Sequence, residues 1–340
     1  MHFNLFLNFI FLFLFACEDK PKEEEIIVPP VVHQYTSYFT GNTVDKKTSP
    51  KGGVCLMGGS SEDDNAMRWF LNQSDGGDIL VLRASGANGY NDYMYSDLGV
   101  TINSVESIVV KNKDASYDTT LHRKINQAEG IWFAGGNQWN YVNYWRNTPI
   151  DSLINAGINN RNIVVGGTSA GMAILGEYIF NAKNGTVTSE EALGDPYRDD
   201  VSIDSLKFIG IKYLKNVITD THYSQRSRQG RHVAFLARIA KDNNTLTKGI
   251  GIDERTAVTI DPSGMARVYG LGDAYFIRAM GLTEVCESGQ PLTWDRNGEA
   301  LKVYKAPVSG VFDLTDWETG VGGTWHHWSV VDGQFNSKPF

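Results

Sequence analysis

From residue 53 onward, short apolar runs alternate with stretches of helical character. Val54-Cys55-Leu56-Met57 ends in Gly58-Gly59, and similar runs follow over residues 79–84, 105–110 and 130–133, the last leading into Ala134-Gly135-Gly136. Residues 66–72 and 141–156 carry helical spacing between them. Apolar runs without alternation are what strands covered on both faces look like. Their interleaving with helices predicts an α/β fold with a mostly parallel sheet flanked by helices. Glycines close several runs, so the carboxyl edge of the sheet is where backbone approaches something closely. Gly58-Gly59 lacks the G-x-G-x-x-G spacing, which excludes a dinucleotide fingerprint. After about residue 280 the texture shifts to Gly, Trp, Thr and Val with turn signals such as Asn297-Gly298 and Gly322-Gly323. The expected organisation is an α/β domain over residues 51–280 and a small β-rich C-terminal extension over 281–340.

One strand end carries chemistry. Ile163-Val164-Val165 runs through Gly166-Gly167-Thr168-Ser169-Ala170-Gly171 into a helix-forming stretch over 170–180. Strand, tight turn and helix, with Gly167, Ser169 and Gly171 in G-x-S-x-G register, are the setting of a nucleophile elbow. A side chain on either flanking glycine would collide with the neighbouring backbone, while the serine hydroxyl is thrust out at the sheet edge. The N–H groups of Ala170 and of Gly136, at a second glycine-rich strand end, are the expected oxyanion donors.

A serine nucleophile needs a base, and the base an orienting acid. His222 stands out because the apolar run from Val217 places it at another strand end. His232 reads as a helix-face residue, and His326-His327, bracketed by Trp325 and Trp328, as structure in the extension. Arg226, Arg228 and Arg231 follow His222 closely; they form either an anion site, since guanidinium forks bind carboxylates, or a solvated helix start. For the acid, Glu190 and Glu191 are adjacent. Thr188 and Glu191 also have the spacing of a capping box, and the residues leave both readings open.

Composition narrows the partners. The net charge is −8 and no Lys/Arg block occurs, which argues against nucleic acid. No CxxC, HExxH or clustered His/Cys spacing is present, so neither a metal nor a cofactor is expected. Residues 1–16 hold no charged side chain and a Phe/Leu run too short to span a bilayer, as in a signal peptide. Leu14-Phe15-Ala16-Cys17 resembles a bacterial lipobox, which makes Cys17 the expected acylation site. The mature chain would then be anchored in the cell envelope, at the outer membrane by preference. Residues 17–50 read as a lipidated, charged and Pro-stiffened tether. Cys55 lies in an apolar run and reads as a buried, inert thiol; its pairing with Cys286 is left open.

Taken together, these segments resemble the cyanophycinase and dipeptidase E family of serine peptidases, from about residue 53 to 279. Leu56-Met57-Gly58-Gly59-Ser60-Ser61-Glu62-Asp63 is similar to its first strand and glycine turn. Phe133-Ala134-Gly135-Gly136-Asn137-Gln138 is similar to its FxGGDQ loop, and Gly167-Thr168-Ser169-Ala170-Gly171 to its GTSAGA elbow. Asp220-Thr221-His222-Tyr223-Ser224-Gln225-Arg226-Ser227-Arg228 resembles DQHFSQRGR, and Gly249-Ile250-Gly251-Ile252-Asp253-Glu254 resembles GIGIDE. Asn137, Met172 and Thr221 depart from the family pattern, and the stretch from elbow to histidine is long.

The resemblance implies a flavodoxin-like, class I glutamine-amidotransferase-like sheet. It implies Ser169 as nucleophile, His222 as base and an acid after the elbow helix, placed on Glu190 in preference to Glu191. Gln138, Arg226, Arg228 and Arg231 match substrate-contact positions. The expected function is a cyanophycinase-like serine peptidase acting on Asp-containing peptides or β-aspartyl isopeptides. The alternative is a catalytically silent envelope lipoprotein that binds acidic peptides or glycans with the same fold. The expected partners are an aspartyl-containing peptide and, through lipid, a membrane, with a homodimer left open.

Overall fold

The computed structural model describes Met1, residues 33–204 and residues 207–339; residues 2–16 of the expected signal segment and Cys17 lie outside the described residues. The first strands are β1 (Tyr35–Gly41), β2 (Val54–Met57), β3 (Asp78–Arg83), β4 (Ser104–Val110), β5 (Gly130–Phe133) and β6 (Val164–Thr168). Next come β7 (Ile179–Phe180), β8 (Ile203–Asp204), β9 (Val217–Asp220), β10 (Lys248–Ile252), β11 (Thr256–Ile260) and β12 (Met265–Gly270). The chain ends on β13 (Ala274–Ala279), β14 (Leu301–Ala306), β15 (Val311–Asp313), β16 (Gly320–Val321), β17 (Thr324–Val331) and β18 (Gln334–Pro339). The helices are α1 (Asp64–Gln73), α2 (Thr119–Gln127), α3 (Gln138–Trp145), α4 (Pro149–Arg161), α5 (Ala170–Ala173), α6 (Ser189–Gly194) and α7 (Gln229–Asn243).

Ten strands form one sheet in the order β1-β4-β3-β5-β6-β2-β11-β12-β15-β16. Its centre, β4-β3-β5-β6-β2, is parallel, and β1 and β11 join antiparallel on either side. Both faces of the centre are covered. Leu80, Leu82, Ile131 and Phe133 enter one core, while Ile79, Val81, Trp132 and Ala134 enter the other. The period of two along a strand makes that division. The protein is therefore an α/β fold with a parallel central sheet flanked by helices, as the uniform apolar runs predict.

Six further strands form a second sheet, β18-β17-β14-β13-β10-β9, in which β9 and β10 are parallel. Alternate residues of β13 join different cores: Ala274 and Phe276 meet Phe312 and Val258 of the first sheet, while Tyr275 and Ile277 pack with Phe235 of α7. This corrects the expected boundary at residue 280. Strands before and after it share both sheets, and His33–Phe340 is one compact unit. The tether to residue 50 also needs correction. Tyr35-Thr36-Ser37-Tyr38-Phe39-Thr40 is rich in strand-forming residues and pairs with β4 along its whole length.

Two expected helices are different in the structure. The stretch 141–156 is two helices, because Thr148 caps α4, Pro149 opens it and Asn147 takes φ +56°. The elbow helix stops at Ala173 instead of reaching 180. Tyr178 N–H donates to Val217 O at 3.1 Å, so pairing beside β9 overrides helical propensity. The elbow run that opens at Ile163 pairs as β6 only from Val164, because Asn162 ends α4 at φ +53°. Cys55 and Cys286 are both buried free thiols.

Glu129, buried before β5, accepts the Asp78 N–H at 2.8 Å. Burial, with the nearby Asp78 and Asp45 charges, pushes its carboxyl up to about 7 against the pull of Arg161. A carboxyl raised on folding favours the folded state while protonated; that contribution is full below about 4.5 and is lost as pH rises through about 7. Glu129→Gln should therefore raise Tm relative to the parent by more at alkaline than at acidic pH. A Tm difference that stays flat across this window would refute the linkage.

Candidate active site

The elbow occupies the carboxyl ends of β5 and β6. Ser169 has φ +51° and ψ −117°, a strained conformation for a residue with a side chain. The crossing is too tight for other side chains nearby. A Cβ on Gly171 would lie 2.0 Å from Phe133 O, and one on Gly167 would lie 2.6 Å from the Gly171 carbonyl carbon. Ser169 N–H donates to Met57 O at 3.0 Å, tying the turn to β2. Ala170 follows at the start of α5, and Gly136 lies beyond β5 on the same cavity as Ser169. Neither N–H donates to a backbone carbonyl outside a helix among the described residues.

His222 comes from the second sheet, just past the end of β9. Its backbone takes φ +48°, and its N–H donates to Gly58 O at 2.8 Å. The imidazole packs against Gly59, where a Cβ would sit 2.4 Å from Cε1. Ser169 Oγ is 2.8 Å from Nε2, and Nδ1 is 2.6 Å from Glu254 Oε1. With a carboxylate on Nδ1, that nitrogen carries the proton and Nε2 is free to accept the serine hydroxyl. Burial lowers the His222 pKa, and Arg226 and Arg228 add to the effect; Glu254 opposes it, and the net shift is downward. The ring is therefore neutral, and able to accept a proton, at neutral pH.

The carboxylate on His222 is Glu254, which corrects the expectation of Glu190. Glu190 is exposed on α6, whose Ala192 and Leu193 face inward, and Glu191 is held in the capping box with Thr188. Glu254 was within reach of sequence reasoning. It ends the Gly249-Ile250-Gly251-Ile252-Asp253-Glu254 stretch, and β10 runs parallel to β9 with Gly251 opposite Asp220. Neighbouring parallel strands deliver their following residues to one edge, so His222 and Glu254 emerge together. The missing information was that β9 and β10 are neighbours.

Ser169 opens onto a cavity of about 370 Å³ lined by Gly136, Gln138, Thr221, His222 and the three arginines. The arginines differ in their partners. Arg231 is buried and grips Asp220 with two hydrogen bonds of 2.6 and 2.8 Å, with Phe180 and Phe235 against its guanidinium. Burial pulls the Asp220 carboxyl up, but Arg231, helped by Arg228, outweighs it and holds the group below its ordinary value. Arg228 lies 3.6 Å from the same carboxylate and donates to Thr221 O at 2.8 Å. Arg226 is more than half exposed and 3.7 Å from Glu254. Of the expected substrate contacts, Arg231 is thus committed inside the protein, whereas Arg228, Arg226 and Gln138 face the cavity. His232 is fully buried against Tyr223 Oη at 3.0 Å. Among the described residues no group of three His, Cys, Asp or Glu is placed to hold a metal ion.

Cyanophycinase of Trichormus variabilis is 24% identical over 193 residues, 56% of this chain and 59% of that protein. The chain thus spans less than two thirds of that relative's length. Cyanophycinase of Thermosynechococcus vestitus is 26% identical over 243 residues, 69% of this chain and 70% of that one. The crystal structure of a peptidase from an acI-B1 actinobacterium aligns with a TM-score of 0.49 and 16% identity, covering 67% of this chain and 91% of the other. Residues 88–268, more than half of the chain and inclusive of Ser169, His222 and Glu254, match Peptidase family S51. The chain belongs to peptidase family S51, the family of cyanophycinase and peptidase E-like serine peptidases.

Proposed function

We propose that the protein is a serine peptidase that hydrolyses peptide or isopeptide bonds adjoining aspartyl residues. The observation that carries this reading is the line Ser169–His222–Glu254, with contacts of 2.8 and 2.6 Å, opening on a cavity with excess positive charge. In the proposed mechanism Ser169 Oγ attacks the carbonyl carbon while its proton passes to His222 Nε2. Glu254 holds the ring and stabilises the imidazolium. The N–H groups of Ala170 and Gly136 receive the developing oxyanion. Nε2 then protonates the leaving amine, and a water molecule activated by the same nitrogen releases the acyl group.

Charge supports the aspartyl preference. Three guanidinium groups line the cavity with the single carboxylate of Asp220, which Arg231 already engages at both oxygens. Arg228 meets the Asp220 carboxylate only at 3.6 Å, and a substrate carboxylate would complete its pairing. Gln138 and Arg226 lie on the same wall space as further polar contacts. The volume suits a ligand of dipeptide scale. The lipobox reading adds that Cys17 is acylated and anchors the enzyme to a membrane of the cell envelope. Metabolic labelling with palmitate should mark the full-length protein and not Cys17→Ser; equal labelling of both would remove the anchor from the proposal.

Ser169→Ala should abolish fluorophosphonate labelling and lower turnover of aspartyl peptides by on the order of 10⁴-fold or more, with folding retained. Glu254→Gln should lower turnover steeply, whereas Glu190→Gln and Glu191→Gln should leave it near the parent level. Activity should fall as pH drops through the His222 pKa, with the midpoint below the ordinary imidazole value of 6.5. Equal effects at Glu254 and Glu190 would contradict the assignment of the acid.

Arg228→Ala should cost about 2 to 5 kcal/mol in kcat/KM for aspartyl peptides, as for a truncated charge pair. The loss for asparaginyl analogues should be much smaller, because they never form the full ion pair. Equal losses on the two substrate sets would reduce Arg228 to a support for Thr221.

A further inference from the structure

Two residues that do not line the cavity tie the segment of the base to that of the acid. Asp253, buried immediately before Glu254, accepts the Ser224 N–H on Oδ1 at 2.8 Å and the Asp273 N–H on Oδ2 at 3.1 Å. In the opposite sense, Gln225 Oε1 accepts the Glu254 N–H at 2.9 Å. Each segment gives a backbone N–H to a side chain of the other, the reciprocity that makes a capping box rigid. We infer that Asp253 and Gln225 form a clasp of positioning residues that holds the Glu254 carboxylate on His222 Nδ1. The inference rests on the Ser169–His222–Glu254 reading proposed above.

The clasp has a physical task. Glu254 sits on a turn between β10 and β11, is a quarter exposed, and reaches His222 through a side chain with several rotatable bonds. Arg226 Nη2 lies 3.7 Å from the same Oε1 and is half exposed, so it competes for the carboxylate. Anchoring the Glu254 backbone on one side by Gln225, and its preceding residue to Ser224 on the other, limits the swing toward Arg226. The groups acting on His222 are Glu254 from the β10–β11 turn and Arg226 and Arg228 from its own segment, with Ser169 opposite on the elbow. Glu254 raises the basicity of His222 and the two arginines lower it. A loosened clasp therefore moves the titration of His222 to lower pH and slows proton transfer from Ser169.

Fluorophosphonate labelling tests this without knowledge of the natural substrate. Ser169 Oγ bonds to phosphorus, fluoride leaves, and the hydroxyl proton passes to His222 Nε2, so the rate reports the base directly. Gln225 is exposed, and Gln225→Met keeps its stem while removing the acceptor. This variant should lower the plateau labelling rate on the order of ten- to a hundredfold. It should also shift the acid limb to lower pH, in the same sense as Glu254→Gln, with Tm within about 2 °C of the parent. Asp253→Asn should act in the same direction, and the double variant should lose little more than the worse single one. A Gln225→Met protein with the parental rate, or with a lowered rate but an unmoved acid limb, would overturn the clasp while a shifted Glu254→Gln leaves the triad standing. A Glu254→Gln protein that labels like the parent would overturn the triad, and the clasp with it.

Discussion

Everything at this site depends on how closely two backbones approach at Gly58 and Gly59. A Cβ on Gly58 would lie 2.0 Å from Asp253 O, and one on Gly59 would enter the His222 ring. The turn also binds both segments through its own backbone: Gly58 O accepts the His222 N–H, and Gly59 O accepts the Arg255 N–H at 2.9 Å. The turn after β2, in the first sheet, is thus the seat on which His222 and Glu254, the proposed base and acid, rest. With that seat filled by side chains, the His222 ring could not keep its place and Ser169 Oγ would lose its 2.8 Å partner. The glycine pair, which lacks the spacing of a dinucleotide fingerprint, serves a steric purpose.

The second constraint is electrostatic. A buried carboxylate and a buried guanidinium are each costly alone, so Asp220 and Arg231 persist only as a pair with both oxygens engaged. Arg231 also donates to Thr186 Oγ1 at 3.2 Å and to Val187 O at 3.4 Å, which fixes the segment forming the far wall of the cavity. One ion pair therefore stands behind the strand end that carries His222 and the wall opposite it. With both Asp220 oxygens engaged by Arg231, Arg228 meets that carboxylate only at 3.6 Å. Three arginines at close spacing thus divide into a structural residue, a cavity-facing one and an exposed one beside Glu254.

The sheets depend on each other as well as on their own pairing. The residues that alternate along β13 enter two cores, with Phe276 stacked on Phe312 at 4.4 Å between centroids on one side and Tyr275 near Tyr223 on the other. Tyr223 follows His222 directly, and its ring fills the space that Gly251 leaves open. The C-terminal strands thereby complete the core on which the histidine segment rests. A chain ending near residue 280 would lack β14, the antiparallel partner of β13.

The parallel centre of the sheet, the elbow turn at Ser169, the strand-end position of His222 and the glycine-closed edges were all legible along the chain. Each of these is a local pattern: an uninterrupted apolar run, a G-x-S-x-G turn, a polar residue just after a run. Elements set by capping were legible in part, since the Thr188–Glu191 spacing describes α6 correctly while its glutamates misled the choice of acid. Adjacency, in contrast, came from folding. β9 and β10 pair across a long helix, β1 joins β4 from a segment that composition marks as tether, and residue 173 ends a helix because Val217 captures the chain beyond it. Partner choice among arginines was equally hidden, because it is set by which carboxylate lies within about 3 Å after folding. Spacing along a chain fixes which side chains share an element; distances between elements are fixed by packing, and the identity of Glu254 as the partner of His222 belongs to packing.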